Sequence, residues 1–358
     1  MKKAVILFII LLSACSSRKE TLFFNLGVES VQLDWNKTND SASVIVLDNI
    51  MEGLTSYVDS LHGGHSELLR PGPALATSWS VLEGGKRYLF HLRGDVVWSD
   101  GVPLEAKHFV DSWQRLLDPA TKSETAFHLF HIVGAEEFAS GKIRDFSQVG
   151  VKALDSKTLE VRLRYPVSYF LHLVSTVNTF PIRKELIAKF GTQWSEPHNL
   201  VTLGAYGIEK WSPGEYIELV RSSKYWDKDI YLKTVRCKMV SEPITALTLY
   251  ENNEIDILPR DLPISYMRYW QKHSDYRTGA KLSVSYLAFN VKKPPFTNVK
   301  SRKIFISAIN RDQLAEFFGG AQTASSSWIP PGLLGYNQAA GIVNAPKQTE
   351  AFVGLKNI

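Results

Sequence analysis

The side chains best suited to chemistry in this chain are few, and their spacing is loose. His128 and His131 lie three residues apart with Glu136 and Glu137 close behind, and His62 and His65 flank a Gly-Gly pair. A metal centre needs at least three converging ligands and partners that hold each ring in place. Neither pair supplies that from its spacing, so both are read as partly exposed surface histidines, and no metal or other cofactor is expected. The carboxylates are scattered, and no two stand in a pattern that would divide acid and base roles. Nucleophile elbows, phosphate loops, dinucleotide glycine fingerprints, paired metal cysteines and zinc-protease helices are all missing. An exported hydrolase built on His128, His131 and Glu136 would need a metal or a positioned nucleophile, and the sequence offers neither. No catalytic residue is nominated. The remaining reactive groups are two thiols, Cys15 and Cys237. Cys237 lies in an apolar run, Val235-Arg236-Cys237-Lys238-Met239-Val240, where a lone cysteine behaves as a small buried hydrophobe. Two cysteines in such different settings form no disulfide framework.

Cys15 follows Met1-Lys2-Lys3, an aliphatic run over 4–12, and Ser13-Ala14. A positive start, a short apolar stretch and small residues before a cut form a secretory signal. The run is too short for a stable membrane-crossing helix, which takes about 20 residues. Leu12-Ser13-Ala14-Cys15 resembles a bacterial lipobox, which implies that Cys15 is acylated and becomes the mature N-terminus. Residues 1–14 are expected to be the signal and 15–20 a polar leash. The protein is expected on the periplasmic or cell-surface face, held to the membrane by its lipid.

The 358 residues are enough for two or three compact units with a substantial core. Hydrophobic residues at 44% and charged residues at 22% are ordinary for a globular chain and argue against general disorder. Without Lys2 and Lys3, basic side chains number 41 − 2 = 39 against 36 acidic ones, and no basic run is interleaved with aromatics. Nucleic-acid binding is therefore not expected.

The hydrophobic pattern mixes both periods. Strands are expected at 22–26, ended by Gly27, and at 87–93, 156–164 and 255–258. A hairpin is expected from 206–211 and 216–220 around Ser212-Pro213-Gly214-Glu215. Helices are expected at 43–54, 105–117 with Asp118-Pro119 as its stop, 181–190 before Gly191, 244–252, and 299–318. Strands, helices and hairpin follow no regular alternation, which indicates a mixed α/β protein of several lobes.

An ordered series of short blocks accompanies these elements. Phe90-His91-Leu92-Arg93, Trp98-Ser99-Asp100-Gly101-Val102-Pro103 and Phe109-Val110-Asp111-Ser112-Trp113-Gln114-Arg115 with Asp118-Pro119 lead it. Gly150-Val151-Lys152-Ala153-Leu154-Asp155, Lys224-Tyr225-Trp226, Glu254-Ile255-Asp256, Phe289-Asn290 and Lys293-Pro294-Pro295-Phe296 follow. The series resembles the extracellular solute-binding proteins of family 5, and within them the oligopeptide-binding proteins of peptide ABC importers. The resemblance implies two hinged lobes of a periplasmic-binding-protein-like fold. A core subdomain of the first lobe is expected at 21–43 and 167–285, a second subdomain at 44–166, and the start of the second lobe at 286–358. Trp98 is read as an aromatic anchor inside a lobe. Glu105 and His108 replace a Thr-x-x-Asp capping box, so that reciprocal cap is expected to be lost at about 1 kcal/mol. Asn253, where glycine is common, tolerates a left-handed backbone.

The resemblance also implies a ligand and a site: an extended oligopeptide held by its backbone as an added strand, with ABC transporter permease subunits as partners of a monomeric receptor. The contacting loop corresponds to Gly27, Val28, Glu29 and Ser30, with Glu29 facing positive ligand groups. Tyr286 corresponds to a stacking residue and Asn290 to a backbone partner. Another family ligand, such as a dipeptide, haem, a nickel complex or glutathione, remains an alternative reading. Ala288 and Thr125 replace an acid and a tyrosine of some relatives, which weakens a preference for basic side chains. Relatives also run well beyond this length. The second lobe is therefore expected to be incomplete, poorly ordered after about Asn290 and exposing apolar surface, with peptide binding weakened or lost. A truncated paralogue without function is the corresponding alternative.

Overall fold

The computed structural model describes residues 20–27, 31–58, 70–258, 262–277, 283–318, 322–331, 333, 336 and 337. The elements begin β1 (Thr21–Asn25), α1 (Ser41–Ile50), β2 (Thr55–Val58), β3 (Arg70–Pro73), β4 (Ala76–Leu82), β5 (Arg87–Leu92), α2 (Ala106–Leu117) and α3 (Ala135–Ala139). They continue with β6 (Val151–Ala153), β7 (Thr158–Arg162), α4 (Phe170–Leu173), α5 (Lys184–Phe190), β8 (Tyr206–Ser212), β9 (Tyr216–Arg221) and β10 (Thr234–Lys238). The last four are α6 (Pro243–Glu251), α7 (Ile264–Trp270), α8 (Val299–Ala308) and α9 (Arg311–Phe317).

Two units divide the chain, one drawn from 1–55 and 73–259 and the other from 56–72 and 260–358. The first holds two four-stranded sheets. One has the order β1-β10-β9-β8, with β1 parallel to β10 and the other pairs antiparallel. The other has the order β4-β5-β7-β6 and is antiparallel throughout. Each sheet takes its strands from one of the two expected subdomain ranges, yet a single apolar core runs from Phe90 and Val161 of one to Ile217 and Leu219 of the other. The second unit joins 56–72 to the chain from 260 onward. Among the described residues, it contributes α7, α8 and α9, so the chain beyond Asn290 includes two helices.

Local chemistry accounts for the element boundaries. On β5, Tyr88, Phe90 and Leu92 are buried, and Phe90 lies between Trp79 and Leu159 of its neighbours. Helix α1 starts two residues earlier than expected because the Asp40 carboxylate accepts from Ala42 N and Ser43 N, at 3.1 and 2.8 Å. Helix α5 is shorter than expected and begins only after Arg183. Helices α8 and α9 replace one long helix because Asn310 starts a second one, its Oδ1 accepting from Gln313 N at 3.1 Å. The strand expected at 255–258 is reduced to one parallel bridge, between Phe24 and Ile257. Asn253 ends the chain's turn after α6 at φ 60°, the left-handed conformation expected of it. Cys237 is buried on β10, and burial pushes its thiol up to about 12, so it is an unreactive hydrophobe.

One polar network ties the first unit together. Arg115 near the end of α2 donates both Nη atoms to Asp34, at 2.7 and 2.6 Å, and Nη1 also reaches Asn36 Oδ1 at 2.8 Å. Asn36 Nδ2 donates to Asn178 O at 3.0 Å, and Asn178 Nδ2 returns to Trp35 O and Thr38 O at 2.7 and 2.8 Å. Trp35 donates to Phe180 O at 3.2 Å and packs edge-on to Trp194 with ring centres 4.8 Å apart. Residues 32–38, α2 and the 178–180 turn are thereby one rigid body. Replacing Arg115 with Ala leaves a carboxylate whose side chain is only 9% exposed with Lys37, at 3.9 Å, as its remaining cation, and an unfolding loss of about 3 kcal/mol is expected. Denaturant titration measures it, and Arg115→Lys should recover only part because it loses the two-pronged geometry. Gly204→Ala should also destabilise, since a Cβ there would sit 2.4 Å from the carbonyl carbon of Ile50.

Candidate functional site

The loop after β1 is held by fixed posts on both sides. Asn25, 5% exposed, uses its whole side chain: Nδ2 donates to Val240 O at 3.0 Å, and Oδ1 accepts from Val240 N and Gly27 N at 3.1 and 3.2 Å. Gly27 then turns the chain at φ 68°, a backbone that residues with a Cβ rarely adopt. On the far side Val31 is buried, and Gln32 N donates to Ser43 Oγ at 2.7 Å. Asp34 is held by Arg115 as described above. Val28, Glu29 and Ser30 lie outside the described residues, as does Cys15.

The outer edge of β1 is already used in part. Asp256 N donates to Phe23 O at 2.8 Å, Phe23 N donates to Asp256 Oδ2 at 2.8 Å, and Asn25 N reaches Ile257 O at 3.4 Å. The chain's own backbone thus pairs with β1 as far as Asn25, and the loop from Gly27 onward begins where that pairing stops.

Tyr286 and Asn290 belong to the second unit. Tyr286 is 63% exposed and meets the equally open ring of Trp328 in a T-shaped contact with centroids 4.6 Å apart. Asn290 closes a turn: its Oδ1 accepts from Lys292 N at 3.2 Å and its carbonyl accepts from Lys293 N at 3.0 Å. Its side-chain oxygen and its carbonyl are therefore both engaged within the turn. Leu287, Val291 and Phe317 of this unit are exposed as well.

Of the other sequence candidates, His128 has a buried Nδ1 with no hydrogen-bond partner among the described residues, whereas His131, Glu136 and Glu137 are paired. His131 accepts or donates at both ring nitrogens to tyrosine hydroxyls, Nδ1 to Tyr165 at 2.9 Å and Nε2 to Tyr169 at 3.1 Å. Glu136 and Glu137 both pair with Arg164. His62 and His65 lie outside the described residues. Trp98 is fully buried against His108 and near Arg183, which itself pairs with Asp100 at 3.1 Å.

The expected loss of the helix cap at 105–108 needs correction. His108 Nδ1 accepts from Glu105 N at 3.1 Å, so a reciprocal side-chain bond from the third helical position survives with imidazole in place of carboxylate. Trp98 Nε1 donates to the same atom at 3.3 Å. Both partners are donors, which fixes Nδ1 as the unprotonated nitrogen. A second cluster was not legible in advance. Glu52, just past α1, accepts from Tyr225 OH at 3.1 Å and Trp226 Nε1 at 2.7 Å, and Arg93 stacks on Trp226 with its guanidinium carbon 3.5 Å from the ring centre. Burial raises the Glu52 carboxyl above its ordinary range, against the pull of its two donors and Arg93. The block Lys224-Tyr225-Trp226 signals only that something is anchored there, not which acid receives it.

The profile of the bacterial extracellular solute-binding proteins, family 5, matches residues 70–351. The chain belongs to this family. Over 301 residues it is 36% identical to the periplasmic oligopeptide-binding protein OppA of Escherichia coli K12, covering 83% of this chain and 54% of that protein. It is 34% identical over 310 residues to the probable deoxycholate-binding periplasmic protein YgiS of the same strain, covering 85% and 56%. The solved murein tripeptide-binding protein MppA of Escherichia coli superposes with a TM-score of 0.85 at 27% identity, over 95% of this chain and 66% of that one. The chain spans about half the length of these curated relatives. The family 5 members are solute-binding receptors, and the mixed α/β periplasmic-binding-protein-like fold of this chain is theirs.

The buried imidazole gives a pH test. Burial, then the Arg183 charge, lowers the pKa of His108 below the ordinary 6.5. A base whose folded pKa lies under its unfolded value takes up a proton on unfolding. Its contribution is thus complete above about pH 6.5 and is lost as the pH falls toward the lower folded value. Unfolding free energy measured across that window should fall with acidity, and His108→Gln should flatten the slope. An unchanged slope in the variant would show that His108 is not among the groups responsible.

Proposed function

We propose that this chain is an exported, lipid-anchored receptor that captures extended peptides and delivers them to an ABC importer. The observation that carries the reading is the alignment with an oligopeptide-binding relative along 83% of the chain. What supports it is that the outer edge of β1 pairs with residues 256–257 only as far as Asn25, where an added ligand strand would begin. A ligand held by its main chain would be accepted largely irrespective of its side chains, because every peptide presents the same donors and acceptors. Glu29 in that loop and Asn290 Nδ2 on the second unit are the polar groups assigned to the ligand, and Tyr286 is the stacking surface. The reading includes no catalytic step and no cofactor.

A second reading follows from the relative named for deoxycholate, which is nearly as similar to this chain as the oligopeptide binder. The open rings of Tyr286 and Trp328 would suit the flat apolar body of such a ligand.

Titration calorimetry of the chain with a mixed tri- to pentapeptide pool, followed by deoxycholate, separates the two. Saturable heat from peptides alone is expected; saturable heat from deoxycholate alone transfers the assignment to the second reading. The anchor is tested apart from the ligand. Cys15→Ser should leave the signal uncleaved by the lipoprotein peptidase and move the protein out of the detergent phase. Unchanged partitioning would make that cysteine incidental.

A further inference from the structure

The turn that carries Asn290 also carries a concentration of uncompensated positive charge. Residues 283–311 contain Lys292, Lys293, Lys300, Arg302, Lys303 and Arg311 and not one Asp or Glu. None of the six pairs with a carboxylate among the described residues; Arg302 instead donates to the carbonyls of Phe296 and Thr297, at 2.5 and 3.3 Å. Lys292, Lys293, Lys300 and Lys303 are exposed. The segment is one packed element, since Phe296 meets Phe289 at 4.8 Å on one side and Phe305 at 5.1 Å on the other.

Helix stability does not explain this charge. The first turn of α8 contains no acid, although acids there are favoured by the helix dipole and cations are disfavoured. Lys300, Arg302 and Lys303 therefore add to the positive end of α8, and Lys292 and Lys293 extend the same sign back to Asn290. Exposed charges of one sign with no counter-ion give a field that selects ligands by charge more than by shape.

We infer that the receptor prefers anionic ligands, and among peptides those bearing Asp or Glu over those bearing Lys or Arg. The inference rests on the peptide-receptor reading, with Asn290 in the site and Glu29 facing the peptide's own amino group, so that the side-chain preference is set by the basic turn. Asn290 bonds the main-chain N–H groups of both Lys292 and Lys293, so two exposed lysines belong to the turn that carries Asn290 Nδ2. The preference is electrostatic and weakens with salt.

Three pentapeptides of equal length test it by calorimetry with the full chain: Ala-Glu-Ala-Glu-Ala, Ala-Ser-Ala-Ser-Ala and Ala-Lys-Ala-Lys-Ala, in 20 and 300 mM salt. The acidic peptide should bind about tenfold more tightly than the basic one at low salt, with the gap narrowing at high salt. The double change Lys292→Glu with Lys293→Glu should remove or reverse that order. Lys152→Glu, an exposed lysine of β6 in the first unit, should leave the order intact. Binding of all three peptides with equal affinity, or an order untouched by the double change, overturns the charge preference and leaves the peptide reading standing. No binding of any of the three overturns the peptide reading and the preference with it.

Discussion

The paired bonds from Arg115 to Asp34 are the constraint on which the first unit depends. A guanidinium and a carboxylate that are this far out of water are costly apart and tolerable only together, with their remaining bonding positions filled. Asn36 fills one of Arg115's, and Trp194 lies beneath the guanidinium with its centre 5.4 Å away. Satisfying both ions therefore requires α2, the 32–38 segment and the 178–180 turn to be in place at once. Ser112 and Trp113 on α2 donate to Phe180 O and Thr179 O, at 2.5 and 2.8 Å, and Asn178 closes the circuit. Displacing any one of these segments leaves buried polar groups of the others unpaired, which is costly.

What the network holds in place is the chain leading to and from the loop after β1. Asn25 ends the strand by spending its amide on Val240, and Asp34 ends the loop by spending its carboxylate on Arg115. Anchors of this kind fix the flanking backbone at Asn25 and Asp34. The same economy appears at Glu52, where a buried acid is bound by Tyr225 and Trp226 and fixes a neighbouring loop.

Much of the fold was legible in the sequence, for physical reasons that differ between elements. Arg87–Leu92 and the hairpin of β8 and β9 were readable because alternation and a Pro-Gly turn are short-range signals. Helix α2 was readable because Phe109, Trp113, Leu116 and Leu117 repeat at helical spacing and are all buried. Boundaries set by single side-chain bonds were not: Asp40 moved the start of α1, and Asn310 split a run whose apolar spacing was continuous. The strand expected at 255–258 failed because a parallel bridge at Ile257 is a long-range event that alternation cannot report. His108 was misjudged because a capping pattern is defined by residue letters, whereas the backbone N–H requires only an acceptor at the right distance. Of the candidate site, family blocks pointed to Gly27 and Asn290, and the structure adds that Asn290 spends its oxygen on Lys292. Pairings between residues far apart in sequence, such as Glu52 with Trp226, leave no local trace.

The most direct test of the account is native mass spectrometry of the protein isolated from its own cells, followed by release and sequencing of whatever it carries. A backbone-held ligand in a tolerant site predicts a mixed population of short peptides, rich in Asp and Glu. A single non-peptide species, such as a bile acid, would contradict it.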